Sequence, residues 1–225
     1  MVLGHYGTAL ALKTADRKIS LALLFFATTL SDILLYTLMI PGIEQIDHVP
    51  GYTQWISIKT ISNSYSHGLL SLSAWGLLLA VLFILYRKFY RKESTFLIRS
   101  AVIIFIAVIS HYACDLLVHV PDLPVLPGSD TRLGLGLWNY PIISNGIEFL
   151  IYGGGLFLYQ KLVIKEDKIY QKKFFIFSFL LAAFHLSTGL VPPMDSNVLT
   201  GVSMLFVSLA IVAVTWKLEK GATEA

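Results

Sequence analysis

Long stretches of apolar residues alternate along this chain with short polar or basic segments. Six of these stretches are long enough to cross a hydrocarbon core of about 30 Å as helices. Pro41, Pro121 and the pair Pro192-Pro193 follow the first, third and fifth stretches, where helices are expected to end. The pattern predicts an all-α, polytopic membrane bundle formed by one integral membrane domain, residues 1–225. The six predicted transmembrane spans are approximately residues 19–40, 67–86, 100–118, 142–158, 174–191 and 199–216.

A shorter apolar segment, residues 3–14, precedes the first span and cannot cross the membrane as a helix. It lacks the small-residue cleavage site that ends a signal peptide. We consider two interpretations. A half-spanning helix could turn back against span one through residues 15–18, which would raise His5 by about 20 Å to face Asp32. Alternatively, the segment is an amphipathic helix that lies flat at the inner membrane surface.

The composition is typical of a membrane protein. Hydrophobic residues make up 56% of the chain and charged residues 14%, whereas soluble domains are about 25% charged. The single cysteine, Cys114, excludes a disulfide framework within the chain. The net charge of +3 is too small to indicate nucleic-acid binding. The expected partner is therefore the lipid bilayer and not a nucleic acid.

The distribution of basic residues predicts the orientation. Of the 17 lysines and arginines, all but Lys59 and Arg132 lie on one side of the predicted spans. Such an excess is typical of the cytoplasmic side. We therefore expect a multi-pass protein of a bacterial inner membrane with both termini in the cytoplasm. The proline-rich segment 119–128 would lie outside and fold back over the bundle as a cap.

Several ionisable residues lie inside the predicted spans or at their outer ends. A charge within a bilayer is costly, so each one is a functional candidate whose partner has to be found. A rise of 1.5 Å per residue predicts that most of them share one layer, roughly 18–21 Å from the basic residues. The layer contains Asp32, His111, Glu148 and His185, while Asp115, His67 and His119 lie higher, toward the outer surface.

The most informative local pattern ends the third span, in Ser110-His-Tyr-Ala-Cys-Asp-Leu-Leu-Val-His119. Spacings of four residues place His111, Asp115 and His119 along one side of a helix. A histidine and a carboxylate so spaced can bind one metal ion, as in helical zinc sites. A plain Asp–His pair would also satisfy both groups, and the pattern alone leaves the two interpretations open.

The order of these motifs resembles a known bacterial family. The motifs are Gly4-His5, an aspartate late in span one, Ser66-His67 opening span two, and Ser110-His111-x3-Asp115 ending span three. They resemble the membrane-bound metal-dependent hydrolases, which include LexA-regulated inner-membrane proteins and whose metal signature is similar to that of zinc-dependent phospholipase C. The resemblance covers roughly residues 4–158.

The resemblance implies a set of metal ligands, with two departures from the family pattern. Where the family has an Asp pair followed by His, this chain has Ser31-Asp32. The family's His-Arg-x-x-Thr-His-Ser stretch is reduced in this chain to residues 63–68, around His67. Fewer ligands imply fewer metal ions. The ligands that match are His5, Asp32, His67, His111 and Asp115.

The resulting hypothesis is a membrane-embedded hydrolase that uses a divalent metal, zinc or else manganese. Its substrate would be a lipid-borne phosphoester or ester in the outer half of the bilayer. Glu148 would act as general base, and His119 would orient the substrate or carry a proton. Two alternatives remain: a proton- or metal-coupled transporter whose path contains these groups, and a non-catalytic scaffold locked by them.

Overall fold

A computed structural model shows a bundle of helices whose loops at one end form two small β-hairpins. The helices are α1 (Leu3–Ala15), α2 (Leu21–Thr28), α3 (Leu30–Met39), α4 (Leu69–Leu85), α5 (Leu97–Val118), α6 (Pro141–Leu162), α7 (Lys168–Thr188) and α8 (Asn197–Thr223). A π-helical turn, Tyr86–Tyr90, extends α4, and a 3₁₀ turn, Leu137–Asn139, precedes α6. The structure describes residues 1–92, 95, 97–164, 168–190, 194 and 196–223.

Four helices among the described residues are long and apolar enough to cross a membrane, or five if α2 and α3 form one bent span. The prediction of six spans is therefore wrong. The helix that falls short is α7, the predicted span 174–191, because Lys168, Lys172 and Lys173 occupy its first turns. From Phe174 to Thr188 the helix is only about 22 Å long. Val191 and the two prolines predicted to end this span lie outside the described residues.

The predicted first span is broken. The axes of α2 and α3 differ by 56° at Thr29. The hydroxyl groups of Thr28 and Thr29 donate to the carbonyl oxygens of Leu24 and Phe25, four residues earlier, at 3.0 and 2.8 Å. Such back-bonding bends helices. The bend leaves the Thr28 carbonyl oxygen free to accept a hydrogen bond from another helix.

The N-terminal helix α1 is inserted into the bundle and does not lie flat at a surface. Leu3, Ala9 and Leu10 have no exposed surface, and His5 is 1% exposed. The helix packs mainly against α6, where Gly7 faces Gly155. A Cβ atom on Gly155 would lie 2.1 Å from the Gly7 carbonyl oxygen, so the two backbones are in direct contact. Of the two interpretations, the structure therefore has the hairpin.

Polar contacts hold the lysine-rich end of the bundle together. The Lys13 ammonium group lies 2.7 Å from Glu219 on α8 and donates to the carbonyl oxygen of Ile19 at 2.5 Å. Glu219 in turn accepts from the backbone amide of Leu21, the first residue of α2. Arg99 donates to the carbonyl oxygen of Ala15 at 2.7 Å. These bonds fix the turn that sends α1 back into the bundle.

The opposite end is covered by irregular segments. Antiparallel strands β1 (Gln45–His48) and β2 (Ile58–Ser62) form one hairpin, and β3 (Leu123–Pro124) pairs with β4 (Arg132–Leu133). The segment after α5 folds back over the bundle, as predicted, since the carbonyl oxygen of Val125 accepts from the amide of Leu70 on α4 at 3.1 Å. The strands are short and were not predicted from the sequence.

Candidate metal centre

Six ionisable side chains from five parts of the chain meet under the cap. They are referred to below as the His–Asp cluster and are His5 (α1), Asp32 (α3), His67 (before α4), His111 and Asp115 (α5) and His119 (after α5). Five of the six side chains are at most 11% exposed. The exception is Asp32, whose side chain is 26% exposed. The cluster is therefore buried, with one opening beside Asp32.

The Asp115 carboxylate lies at the centre of the cluster. Its Oδ2 atom is 2.9 Å from Nε2 of His111, 3.6 Å from Nε2 of His119 and 3.8 Å from Nε2 of His67. The sequence predicted the first two of these neighbours, because they lie four residues away on either side of Asp115. The third comes from a distant segment of the chain, so three imidazole groups converge on one carboxylate oxygen.

The other oxygen of Asp115 faces α1. Oδ1 lies 2.5 Å from the amino group of Met1 and 3.2 Å from Nε2 of His5. The His5 ring stacks on His111, with ring centroids 3.8 Å apart and planes 10° apart. The short N-terminal helix thus carries a histidine into the cluster, but against Asp115 and His111 and not opposite Asp32, where the hairpin interpretation placed it.

Asp32 supplies the second carboxylate of the cluster. Its Oδ1 atom is 3.5 Å from Nε2 of His67 and 3.8 Å from Nε2 of His111. The residue belongs to the first turn of α3, directly after the bend at Thr29. The bend therefore places this carboxylate beside the histidines of the cluster.

Two overlapping sets of three ligands have the spacing of a metal site. His5, His111 and Asp115 form one set, and Asp32, His67 and His111 form the other. In each set the ligand atoms all lie within 4.8 Å of one another. Imidazole nitrogen with carboxylate oxygen is a ligand combination found in zinc sites. Since both sets contain His111, this histidine is the common element of the candidate centre.

Hydrogen bonds fix the orientation of the rings on the side away from the carboxylates. Nδ1 of His111 lies 2.8 Å from the carbonyl oxygen of Thr28, the group released by the bend. A carbonyl oxygen only accepts, so Nδ1 carries the proton and Nε2 of the neutral ring has a free lone pair. Nδ1 of His67 lies 2.8 Å from Oγ of Ser66. Metal-binding histidines are oriented in this way by bonds to their other nitrogen.

The Nδ1 atom of His119 also has a hydrogen-bonding partner, which is a carboxylate. This nitrogen lies 2.8 Å from Oδ1 of Asp122, and the other oxygen of Asp122 accepts from the Thr60 hydroxyl group at 3.0 Å. Arg132 donates to the backbone carbonyl oxygen of Asp122 at 3.0 Å, which ties the cap to the site. Asp122 was not among the site residues predicted from the sequence, although its position three residues after His119 was a visible signal.

Several ring nitrogens in the cluster face the carboxylates without forming regular hydrogen bonds. Among the buried atoms of the described residues, both ring nitrogens of His5 and Nε2 of His111 have no hydrogen-bond partner. A buried polar group without a partner is costly, and most are satisfied in native proteins. Nitrogens that have carboxylates within 3.2 Å, but in the wrong geometry for a hydrogen bond, fit ligands of a cation. The residues present therefore fit a metal ion.

Glu148, predicted as general base, lies next to the cluster but has other contacts. Its Oε2 atom accepts from the backbone amides of Val2 and Leu3 at 2.7 and 2.8 Å and lies 3.4 Å from that of Gly4. These are the unpaired amides of the first turn of α1, which a carboxylate stabilises. His185, on α7, lies 3.6 Å from the same carboxylate. The contacts of Glu148 hold α1 in place, and its role as base stays a prediction.

His185 belongs to the surroundings of the cluster and not to either set of ligands. Its Nε2 atom lies 2.7 Å from Oδ1 of Asn145 on α6. Its Nδ1 atom has no hydrogen-bond partner among the described residues. The polar contact expected from the sequence is therefore present at one ring nitrogen only.

Comparison of the chain with known protein families, with curated proteins and with solved structures finds no match.

Proposed function

We propose that the protein is a membrane-embedded hydrolase with a divalent metal centre in the His–Asp cluster. The ligands would be His5, Asp32, His67, His111 and Asp115, and the proposed ion is zinc, with manganese as the alternative. One observation carries this proposal. Buried imidazole nitrogens from separate helices face two carboxylates and lack the hydrogen bonds that would otherwise satisfy them.

Such an ion supplies a Lewis acid and, at neutral pH, a source of hydroxide for hydrolysis. The chain contributes the groups that hold and move protons around it. His119 has its Nδ1 fixed by Asp122, while its Nε2 faces the cluster. This arrangement suits a residue that accepts a proton and returns it to a leaving group. We therefore assign proton transfer to His119, and to Glu148 the positioning of α1.

The position of the opening supports a lipid-borne substrate. Asp32 is the only residue of the cluster with substantial exposure, and it lies on a helix of the bundle beneath the cap. A group that reaches Asp32 must approach from the apolar bundle side or along the cap. We propose that the substrate is a phosphoester or ester on a membrane lipid and that the capped end faces away from the cytoplasm, in a bacterial inner membrane.

The packing below the cluster supports a hydrolase over a transporter. Toward the lysine-rich end, the interior is filled by Leu10, Leu24, Phe25 and Ile104, none of which has exposed surface. Apolar packing of this kind suits a site that is open toward the cap.

The test measures bound metal and hydrolysis on the same samples. The protein is purified in nanodiscs, saturated with zinc or manganese, freed of excess metal and analysed by mass spectrometry for bound ion. Asp115→Asn removes the central charge, and His111→Ala removes the residue shared by both ligand sets. We expect each variant to lose bound metal and the hydrolysis of fluorogenic phospholipids or lipid esters. His48→Ala, on strand β1 of the outer hairpin, is the matched control and should retain both.

Unfolding gives an independent measure of the same site. Metal at one hundred times its dissociation constant should stabilise the protein by about 2.7 kcal/mol. Chelation should therefore lower the unfolding temperature of the wild type and of His48→Ala, but not that of Asp115→Asn. A wild type that binds no ion, or that hydrolyses neither class of lipid bond with metal bound, would overturn the proposed function.

A further inference from the structure

A cavity of about 400 Å³ lies at the capped end of α3, α7 and α8. Its volume falls in the range of small-molecule sites, roughly 300–1,000 Å³. It is bounded by Tyr36 of α3, by the segment around Trp55 between β1 and β2, and by the facing sides of α7 and α8. On α7 and α8 the wall includes Phe184, Ser187, Ser203 and Met204.

One wall of the cavity belongs to the helix that carries Asp32. Tyr36 follows Asp32 by four residues on α3, so the two side chains lie on the same face of the helix, one turn apart. A residue that lines the cavity thus lies one helical turn from Asp32. Gly201 of α8 packs against this turn, because a Cβ atom there would lie 2.8 Å from the Tyr36 carbonyl oxygen. The wall around Tyr36 is therefore held close to α8.

The lining of the cavity is apolar and uncharged. None of the described residues that line it is an aspartate, glutamate, lysine, arginine or histidine. Its polar side-chain groups are hydroxyl groups and the indole N–H of Trp55, and several hydroxyl groups already donate within their own helices, such as Ser187 to Phe184 and Ser203 to Leu199. Trp55 closes the cavity toward α7, where its ring packs against Gly189. A ligand here gains apolar contact and few hydrogen bonds.

The mouth of the cavity faces the surface that would contact lipid. Leu190 and Met194, at its edge, are 79% and 52% exposed. On the outside of α8 the neighbouring apolar residues are also exposed, with Val202 at 50% and Phe206 at 73%. In a membrane, these exposed apolar faces are covered by hydrocarbon chains. The mouth is therefore continuous with the environment of those chains.

We propose that this cavity binds one acyl chain of a membrane phospholipid and so presents the head of that lipid to the His–Asp cluster. Presentation of the lipid head to the cluster rests on the proposed function, and it narrows the proposed substrate to acyl phospholipids. The occupant is deduced from the chemistry of the walls. A peptide or polar metabolite would leave its polar groups unpaired there, whereas an acyl chain has none. The head would then reach the opening at Asp32.

The experiment uses the full chain in nanodiscs that contain a palmitoyl phosphatidylglycerol with a diazirine on the chain. After irradiation, the labelled residues are identified by mass spectrometry. We expect labelling to concentrate on cavity residues, Met204 and Phe184 above all. In Ser203→Trp the larger side chain fills the cavity, and labelling there should fall at least about tenfold, since pockets discriminate that strongly even against one methylene group. Val202→Trp, the neighbouring residue on the outside of α8, is the matched control and should leave labelling unchanged.

Ser187→Phe, on the opposite wall, repeats the test in case Ser203→Trp does not fold. Labelling spread evenly over the exposed faces of α7 and α8, or equal labelling in Ser203→Trp and Val202→Trp, would overturn the proposal. Measurement of bound zinc distinguishes a failure of the acyl-chain site from a failure of the metal centre. Asp115→Asn should lose zinc but keep cavity labelling, whereas Ser203→Trp should keep zinc. Labelling without zinc would refute only the metal centre, and zinc without cavity labelling would refute only the acyl-chain site.

Discussion

The contact between α1 and α6 offers a sharp test of how His5 reaches the cluster. Gly155 lies where the two backbones touch, and an added Cβ atom would be 2.1 Å from the carbonyl oxygen of Gly7. Ordinary contact begins near 3.4 Å. In Gly155→Ala, α1 must therefore move away by more than 1 Å, since the atoms that the methyl group meets are backbone and cannot rotate aside.

The expected loss of stability in Gly155→Ala follows from this overlap. Overpacking by a methylene group costs about 1–3 kcal/mol, and we expect the upper end because backbone must shift. Gly154→Ala is the matched control, since nothing lies within 4 Å of a Cβ atom there. It should be neutral or stabilising by up to about 1 kcal/mol, because alanine favours helix over glycine.

Two measurements report this displacement. Unfolding of the purified variants in detergent should show Gly155→Ala destabilised relative to Gly154→Ala. Bound zinc should fall as well, because ligand distances in a metal site tolerate only about 0.2 Å and His5 is two residues from the contact at Gly7. We expect Gly155→Ala to bind zinc at least about tenfold more weakly, which is the effect of losing a group that orients a metal ligand. If the two variants have equal stability and equal zinc affinity, the backbone contact and its role in placing His5 are refuted.

Two further predictions use matched pairs of substitutions. Asp122→Asn removes the carboxylate that orients His119 and should lower lipid hydrolysis about 10–100-fold while the fold is retained. The control is Asp130→Asn, at an exposed position, which should leave hydrolysis unchanged. Equal hydrolysis by the two variants would contradict the role of Asp122. Lys13→Met leaves Glu219 on α8 largely buried and without a cation, and should reduce the free energy of unfolding by about 3 kcal/mol. Lys217→Met, on the exposed side of α8, should change this free energy little. Both are measured by unfolding in detergent.

The span count shows where hydropathy alone fails. Apolar length identified α4, α5, α6 and α8, which are also long and apolar enough in the structure. It overestimated α7, where lysines occupy the first turns, and it treated the bent pair α2–α3 as one straight helix. Hydropathy averages over a window, so it does not register a bend caused by two threonine hydroxyl groups that bond within their own helix.

The order of residues alone determined the local chemistry: apolar helices, a one-sided excess of lysine and arginine, and histidines and carboxylates at similar predicted depths. Spacing of four also made His111 and Asp115 neighbours, because helix geometry is local. The convergence of His5 and His67 on Asp115, the hold of Glu148 on the start of α1 and the cavity beside Asp32 depended on packing. These contacts join segments far apart in the chain, and their distances are set by how closely helices approach, as at Gly155, which no local pattern encodes.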